Sequence, residues 1–410
     1  MAARAARKRP VEYSILYTAT LCLLAFGAVM VYSASSAESL LSGTGDPSFY
    51  LKRYLMCGLL GLLVMHAASR HGLKLIRGLT PVLLIASFFL TAAVMLPGVG
   101  VTVNGATRWL GAGPLQFQPS ELLKVSLVLY AAQSLAARPR ATKTLRGLVN
   151  PLLIVVAVAC LLLLKQPDMG TALVICLSIG ALLVAAGTPV RLLGGIFGTL
   201  VGLAIVFALV EPYRRERLTS FLDPFKDAGD TGFQAVQALT ALGSGGMFGV
   251  GLGESVQKIF YLPEAHTDMI LAIIGEELGL VGILGVIGLY GLIGYAGLRA
   301  AKLAGDLHSK LLAAGITSLI LCQATLNFFA VLGMAPLTGV PLPFLSYGST
   351  NLVVLMGAMG LLLNVAATGG RARRARGKPR LEAIEGGRDA QDRDRRGRHG
   401  GARRAGTRSS

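Results

Sequence analysis

The acid best placed for chemistry in this chain is Asp268, in the stretch YLPEAHTDMI. It opens a long apolar segment and follows Glu264, His266 and Thr267. A carboxylate at a helix start can cap the first free backbone N–H groups. At the mouth of a membrane cavity, beside His and Glu, it is also placed to act as a general base. The sequence leaves both readings open. Glu121 and Lys124, in QPSELLKV, stand three residues apart, share one helix face and can pair. Each costs ~2.5–3.5 kcal/mol at the centre of a membrane helix. They either fix a neighbouring helix or line a polar cavity. Arg108 precedes Trp109, the only tryptophan. The indole suits a membrane interface, and the planar guanidinium suits a diphosphate. Lys165 and Asp168, in KQPDMGTA, form a loop ion pair or belong to the same charged site. Glu276 and Glu277 lie about 12 Å below Asp268 on the same helix. Adjacent residues point to different faces, so at least one needs a partner in the bundle, and a structural role is expected.

These residues must be held by membrane helices. Of the 410 residues 53% are hydrophobic, mean hydropathy is +0.62, and only 15% are charged, against ~25% in soluble domains. Apolar runs long enough to span a bilayer recur. They predict an all-α polytopic protein of about ten spans, near 13–33, 51–69, 78–96, 120–137, 148–164, 169–187, 191–211, 268–298, 309–334 and 345–368. The first reads as an uncleaved helix, because its apolar core is too long for a signal peptide. The domain plan is a basic N-terminus (1–12), a membrane domain (13–368) and a basic tail (369–410).

Charge placement sets the expected orientation. With the N-terminus cytoplasmic, 29 of the 39 Lys and Arg fall on cytoplasmic segments and 9 on external ones, with Lys124 inside a span. Both termini are then cytoplasmic, and the long loop 212–267 is external, as are loops 97–119 and 336–343. Half of the net charge of +18 lies in Arg371–Ser410, which has 14 basic and 5 acidic residues. So polar a tail is expected to be disordered and to tether to anionic lipid headgroups. It has no interleaved aromatics, so nucleic acid is not an expected partner. The five cysteines (22, 57, 160, 176, 322) are scattered singly through apolar runs and read as packing residues. The glycine-rich stretch 243–253 can cradle a phosphate on its N–H groups, but a tightly packed loop is the expected reading.

Several stretches together carry a resemblance: MVYSASS (30–36), NGATRWLGAGPLQFQPSELLKVS (104–126), KQPDMGTAL (165–173), residues 221–282 including QKIFYLPEAHTDMILAIIGEELGLVG, and GMAPLTGVPLPFLSYGST (333–350). The chain resembles the SEDS family of bacterial shape, elongation, division and sporulation proteins, and QKIFYLPEAHTD leans toward its FtsW and SpoVE branches. The resemblance implies ten helices and peptidoglycan glycosyltransferase activity on lipid II in the cytoplasmic membrane. It also implies a class B penicillin-binding protein beside the enzyme, other divisome proteins around it, and a place at the septum. It puts the catalytic aspartate on Asp268. Substrate contacts are expected at Arg108, Glu121, Lys124, Lys165, Asp168, His266, Thr267 and Ser346. SYGST (346–350) stands where the family has SYGGS, so Ser349 replaces a glycine, and HTDM replaces HTDF.

The chemistry suits those residue types. The acceptor sugar 4-hydroxyl must lose a proton as it attacks the anomeric carbon of the donor, and a carboxylate in hydrogen-bond reach can take it. The leaving lipid diphosphate needs cations from Arg, Lys or a divalent metal (Mg or Mn) more than it needs a general acid. Two other readings use the same features: a lipid II flippase, which needs no base, and a non-catalytic division scaffold.

Overall fold

A computed structural model describes residues 9–41, 45–103, 105–112, 115–210, 221–226, 228–229 and 232–377. Most of the basic N-terminus (1–8), part of the long loop (211–220) and most of the tail (378–410) lie outside the described residues.

Ten helices among the described residues fit the expected spans. They are α1 (Val11–Leu41), α2 (Phe49–Leu73), α3 (Leu75–Ala93), α4 (Pro119–Ala137), α5 (Leu145–Lys165, kinked at Asn150, whose φ of −108° and ψ of 111° are not helical), α6 (Met169–Ala185) and α7 (Val190–Val210). A shorter helix, α8 (Phe233–Gly245), precedes α9 (Ile270–Leu303), α10 (Leu307–Val331) and α11 (Ser349–Gly377). Seven of them (α1, α2, α3, α5, α9, α10 and α11) are long and apolar enough to cross a membrane by that criterion alone. Helix α4 carries Glu121 and Lys124. Helix α11 continues to Gly377, into the segment expected to be a disordered tail.

Helices α2 and α3 form one helical run, Phe49–Ala93. Drawn straight it would be ~67 Å long, more than twice the ~30 Å of a bilayer core. Its contacts show that it doubles back. The two ends of α9 mark the ends of the bundle. Tyr54 near the start of the run donates to the Phe344 carbonyl at 2.6 Å, and Thr91 near its finish accepts from Gln166. Both contacts lie at the Asp268 end. In between, the carbonyls of Ala68 and Ser69 accept from Asn364, and Arg77 pairs with Asp306 at 2.6 Å, at the opposite end. The run therefore reverses between Ser69 and Arg77, where the sequence places its basic loop. Arg299 pairs with Glu12 at 2.8 Å, so the start of α1 lies at that opposite end too.

The centre of the bundle is formed by α9, α10 and α11, whose Ile273, Ile274, Leu312, Ile316, Leu355 and Leu362 are fully enclosed. Two features depart from the expected plan. Loop 97–119 folds as a three-stranded antiparallel sheet, β1 (Gly100–Val103), β2 (Ala106–Ala112) and β3 (Leu115–Phe117). The signal was available: Asn104-Gly105 is a hairpin dipeptide, Val103 pairs with Ala106 across it, and Gly105 has φ +74°. The loop expected to lie wholly outside also re-enters the bundle. After α8 the glycine-rich stretch packs against a break in α9 at Gly279, where φ is +65° and ψ −161°. A β-carbon there would sit 2.5 Å from the Gly249 nitrogen. The broken helix leaves polar groups unpaired, and the loop supplies them. Val250 and Gly251 N–H bond to the carbonyls of Glu276 and Glu277, and Leu280 and Val281 N–H bond to those of Gly246 and Met247. Those N–H groups are thus committed to packing, not to a phosphate.

The fold also brings two of the separate cysteines together. Cys160 and Cys176 are free thiols with sulfurs 3.7 Å apart, between α5 and α6.

Candidate functional site

Asp268 ends a tight turn rather than capping a helix. The first helical residue of α9 is Ile270, the N-cap position falls on Met269, and no side chain caps the helix. The turn is drawn by Glu264, with φ +56°. Its carbonyl accepts from the N–H of Thr267 and of Met269, and its carboxylate from the Thr267 hydroxyl at 2.8 Å. Thr267 also lies 3.2 Å from Asp268 Oδ1. Asp268 is only 8% exposed. Burial, reinforced by the nearby Glu264 charge, pushes its carboxyl up to about 6.

Opposite Asp268 runs the loop between α10 and α11. A β-carbon on Gly339 would stand 3.8 Å from Asp268 Oδ2, an ordinary contact distance, so this loop runs directly beside the carboxylate. The Gly339 φ of +66° is what favours glycine at this position. The loop is held by amide side chains that project from apolar helices. Asn327 donates to the carbonyls of Asp268 at 2.6 Å and Val340 at 2.8 Å, which ties loop and aspartate together. Gln323 donates to the Pro341 carbonyl at 2.8 Å and accepts from Lys124 at 2.9 Å.

Lys124 and Glu121 form a buried ion pair 2.9 Å apart, with Lys124 fully enclosed. Asn351 donates to the other Glu121 oxygen at 2.6 Å. The pair therefore joins α4, α10 and α11 and reaches the loop through Gln323. Ser346 closes the same loop: its hydroxyl accepts from Leu342 N–H at 2.9 Å. Ser349, which stands in place of the expected glycine, begins α11 in helical backbone, where no glycine is required. His266 is buried against Tyr50 and Tyr347, its Nδ1 lies 3.4 Å from Glu38, and its carbonyl accepts from Tyr347 N–H. It fixes the approach of the loop to α1 and α2.

The small sheet carries Arg108 to the α5–α6 turn. Its Nε donates to the Gln166 carbonyl at 3.0 Å and a terminal nitrogen donates to that of Pro167, two of the five guanidinium donors. Lys165 is exposed at the end of α5. It does not pair with Asp168, which caps α6 by accepting from Thr171 N–H at 3.2 Å. The other Asp168 oxygen is buried and has no hydrogen-bond partner among the described residues, as is true of Thr338 Oγ1 and Asn327 Oδ1. These atoms flank one loop, because Gly170 of α6 packs against Thr338 and Val340.

The fold thus gathers Asp268, Thr267 and His266 on one turn. Glu121, Lys124 and Ser346 reach the same loop, and Arg108, Lys165 and Asp168 converge on a neighbouring one. The neutral amides Gln323, Asn327 and Asn351 escaped sequence reasoning. Their signal was polarity inside apolar spans, which reading for charges passes over. No three His, Cys, Asp or Glu side chains converge as a metal site among the described residues. A cation such as Mg needs only one or two protein carboxylates beside substrate phosphates, so among the described residues Asp268 and Glu264 are the carboxylates at the site that such an ion would meet.

Comparison with known proteins agrees with this fold. The cell cycle protein family model FTSW_RODA_SPOVE matches residues 14–369. A probable peptidoglycan glycosyltransferase FtsW of Geobacter sp. (strain M18) is 41% identical over 346 residues, 84% of this chain and 94% of that protein. Stage V sporulation protein E of Bacillus subtilis (strain 168) is 38% identical over 354 residues, 86% and 96% of the two chains. A chain of a solved peptidoglycan synthase complex that couples polymerization and crosslinking superposes with a TM-score of 0.71. It is 32% identical over 86% of this chain and 96% of its own. The rod shape determining protein RodA of Thermus thermophilus gives 0.62, at 29% identity over 86% and 95%. With its membrane domain matched almost end to end and its helices superposed on solved relatives, the chain belongs to the FtsW, RodA and SpoVE family.

Proposed function

We propose that this protein is a peptidoglycan glycosyltransferase that polymerises lipid II on the outer face of the bacterial cytoplasmic membrane, at the division septum. The observation that carries the reading is Asp268: a buried carboxylate at the mouth of the bundle, not spent on capping, with a raised proton affinity. In the reaction, the acceptor 4-hydroxyl oxygen bonds to the donor anomeric carbon as the bond from that carbon to the diphosphate breaks. Asp268 takes the hydroxyl proton, and undecaprenyl diphosphate departs with the electron pair. Arg108 and Lys165 supply positive charge for the diphosphate. Glu121 and Lys124 act at one remove, through the loop that faces Asp268.

The names of the relatives support the activity, and FtsW naming supports the septal role. The solved complex couples polymerization to crosslinking, which supports a class B penicillin-binding protein as partner among other divisome proteins. The tail 369–410 is assigned to contact with membrane lipids.

The purified chain, given lipid II, tests the activity. Glycan strands are the expected product. Lipid II moved between leaflets without polymer would favour a flippase, and neither outcome would favour a scaffold. The pH dependence follows from Asp268. A base must be ionised, so kcat/KM should fall about tenfold per pH unit below ~6 and level off above it. A profile flat between pH 4.5 and 7 would exclude a carboxyl with that proton affinity as the base.

The charge split supports a cytoplasmic location for both termini. A cysteine at position 230 should react with an impermeant reagent in intact cells, and one at position 143 should not. The reverse pattern would invert the topology.

A further inference from the structure

A second buried charged cluster lies deeper in the bundle, where the re-entrant loop meets α9. Lys258 Nζ is 2.9 Å from Glu277 Oε1 and donates to the Gly253 carbonyl at 2.6 Å and to Ser33 Oγ at 3.2 Å. Ser33, on α1, donates to Glu277 at 2.6 Å. The adjacent Glu276 accepts from the Ser255 hydroxyl at 2.5 Å and from Val256 N–H at 3.0 Å. Both carboxylates, which the sequence leaves without partners, are thus taken by one segment, 253–258. From there the chain climbs back, with Leu262 N–H bonded to the Gln257 carbonyl at 2.8 Å, and enters the Glu264 turn that ends at Asp268.

We propose that Lys258 and Glu277, with Ser33, are positioning residues for the glycosyl transfer: they latch the foot of the segment 259–268 to α9 and α1 and so fix the place of Asp268. The inference rests on the glycosyltransferase reading. Segment 259–268 is joined to α9 at its top by the backbone. Its foot is held to α9 through the Glu276 and Glu277 carboxylates, which take Ser255, Val256 N–H and Lys258 just beyond the backbone bonds of Val250 and Gly251, so the height of Asp268 is set from below by these bonds and from above by Asn327. A buried ion pair adds little net stability over a well-packed apolar pair of the same volume. What the pair does supply is direction, because its hydrogen bonds leave the ammonium and the carboxylate one arrangement. Small displacements of a reacting group cost rate steeply, about 10²-fold for 1 Å.

The test uses the full-length purified protein with lipid II, and reads melting temperature, KM and kcat. Lys258→Met and Glu277→Gln alone each leave an unpaired buried partner, and both should lower melting temperature and rate. The double variant Lys258→Met/Glu277→Gln has no uncompensated charge and should recover most of the melting temperature. Its kcat should stay at least about tenfold below wild type, with KM for lipid II within about twofold. Recovery of kcat together with melting temperature would reduce the cluster to a stabilising ion pair and overturn the proposal. Should the double variant not fold, Ser33→Ala removes the hydrogen bonds of Ser33 to Lys258 and to Glu277 and no charge. A lower kcat at unchanged melting temperature supports the latch, and an unchanged kcat overturns it. Wild-type protein in the same assay keeps the two ideas apart: if it makes no glycan, the glycosyltransferase reading fails instead.

Discussion

Asp268→Asn should lower the rate of lipid II polymerisation by about 10²–10⁴-fold, the usual cost of losing a general base. Asn keeps the size of the side chain and can still accept from Thr267, so folding and lipid II binding should survive. The helix-cap alternative predicts near-normal activity, because Asn caps as well as Asp. The structure already argues against it, since the N-cap position falls on Met269 and the Asp268 side chain is not used as a cap. Purified variant and wild type, compared at saturating lipid II, decide the matter. A variant within a few-fold of wild type would remove Asp268 from the chemistry.

The second large effect is expected at Lys124. Lys124→Met leaves Glu121 charged and enclosed, with Asn351 its remaining side-chain partner. Breaking a buried pair in this way costs about 3–5 kcal/mol. It also frees Gln323, which holds Pro341 in the loop facing Asp268, so activity should fall with stability. Glu121→Gln/Lys124→Met removes both charges and should cost far less than the sum of the single changes. Melting temperatures of the four proteins give the coupling directly, and additive losses would show that the two charges do not interact.

Much of this was legible in the residues. Apolar runs gave the spans, because a bilayer forces an uninterrupted apolar helix with its backbone bonds made internally. The i,i+3 spacing of Glu121 and Lys124 allowed an ion pair or a polar lining, and the fold forms the pair. The return of Phe49–Ala93 on itself was legible from the basic residues at its middle, although the helical run itself is continuous. What could not be read was long-range pairing. Lys258 counts as an external charge in the sequence, and only the fold brings it to Glu277, 19 residues further on and inside the bundle. Gly279 gives no sign in the sequence that it breaks α9, since its neighbours are good helix formers. The break makes sense only once the glycine-rich loop is seen supplying its hydrogen bonds. Asp268 was ambiguous because cap and base need the same residue at the same place, and one residue's offset, to Met269, separates them.

The central claim, polymerisation at the end of the bundle that carries Asp268, is tested most directly in proteoliposomes holding the protein in a known orientation with lipid II in both leaflets. The account predicts glycan strands on the Asp268 side alone, so that an added impermeant muramidase digests them when that end faces outward and spares them when it faces the lumen. Strands on the opposite side, or lipid II crossing the bilayer with no strands formed, would contradict it.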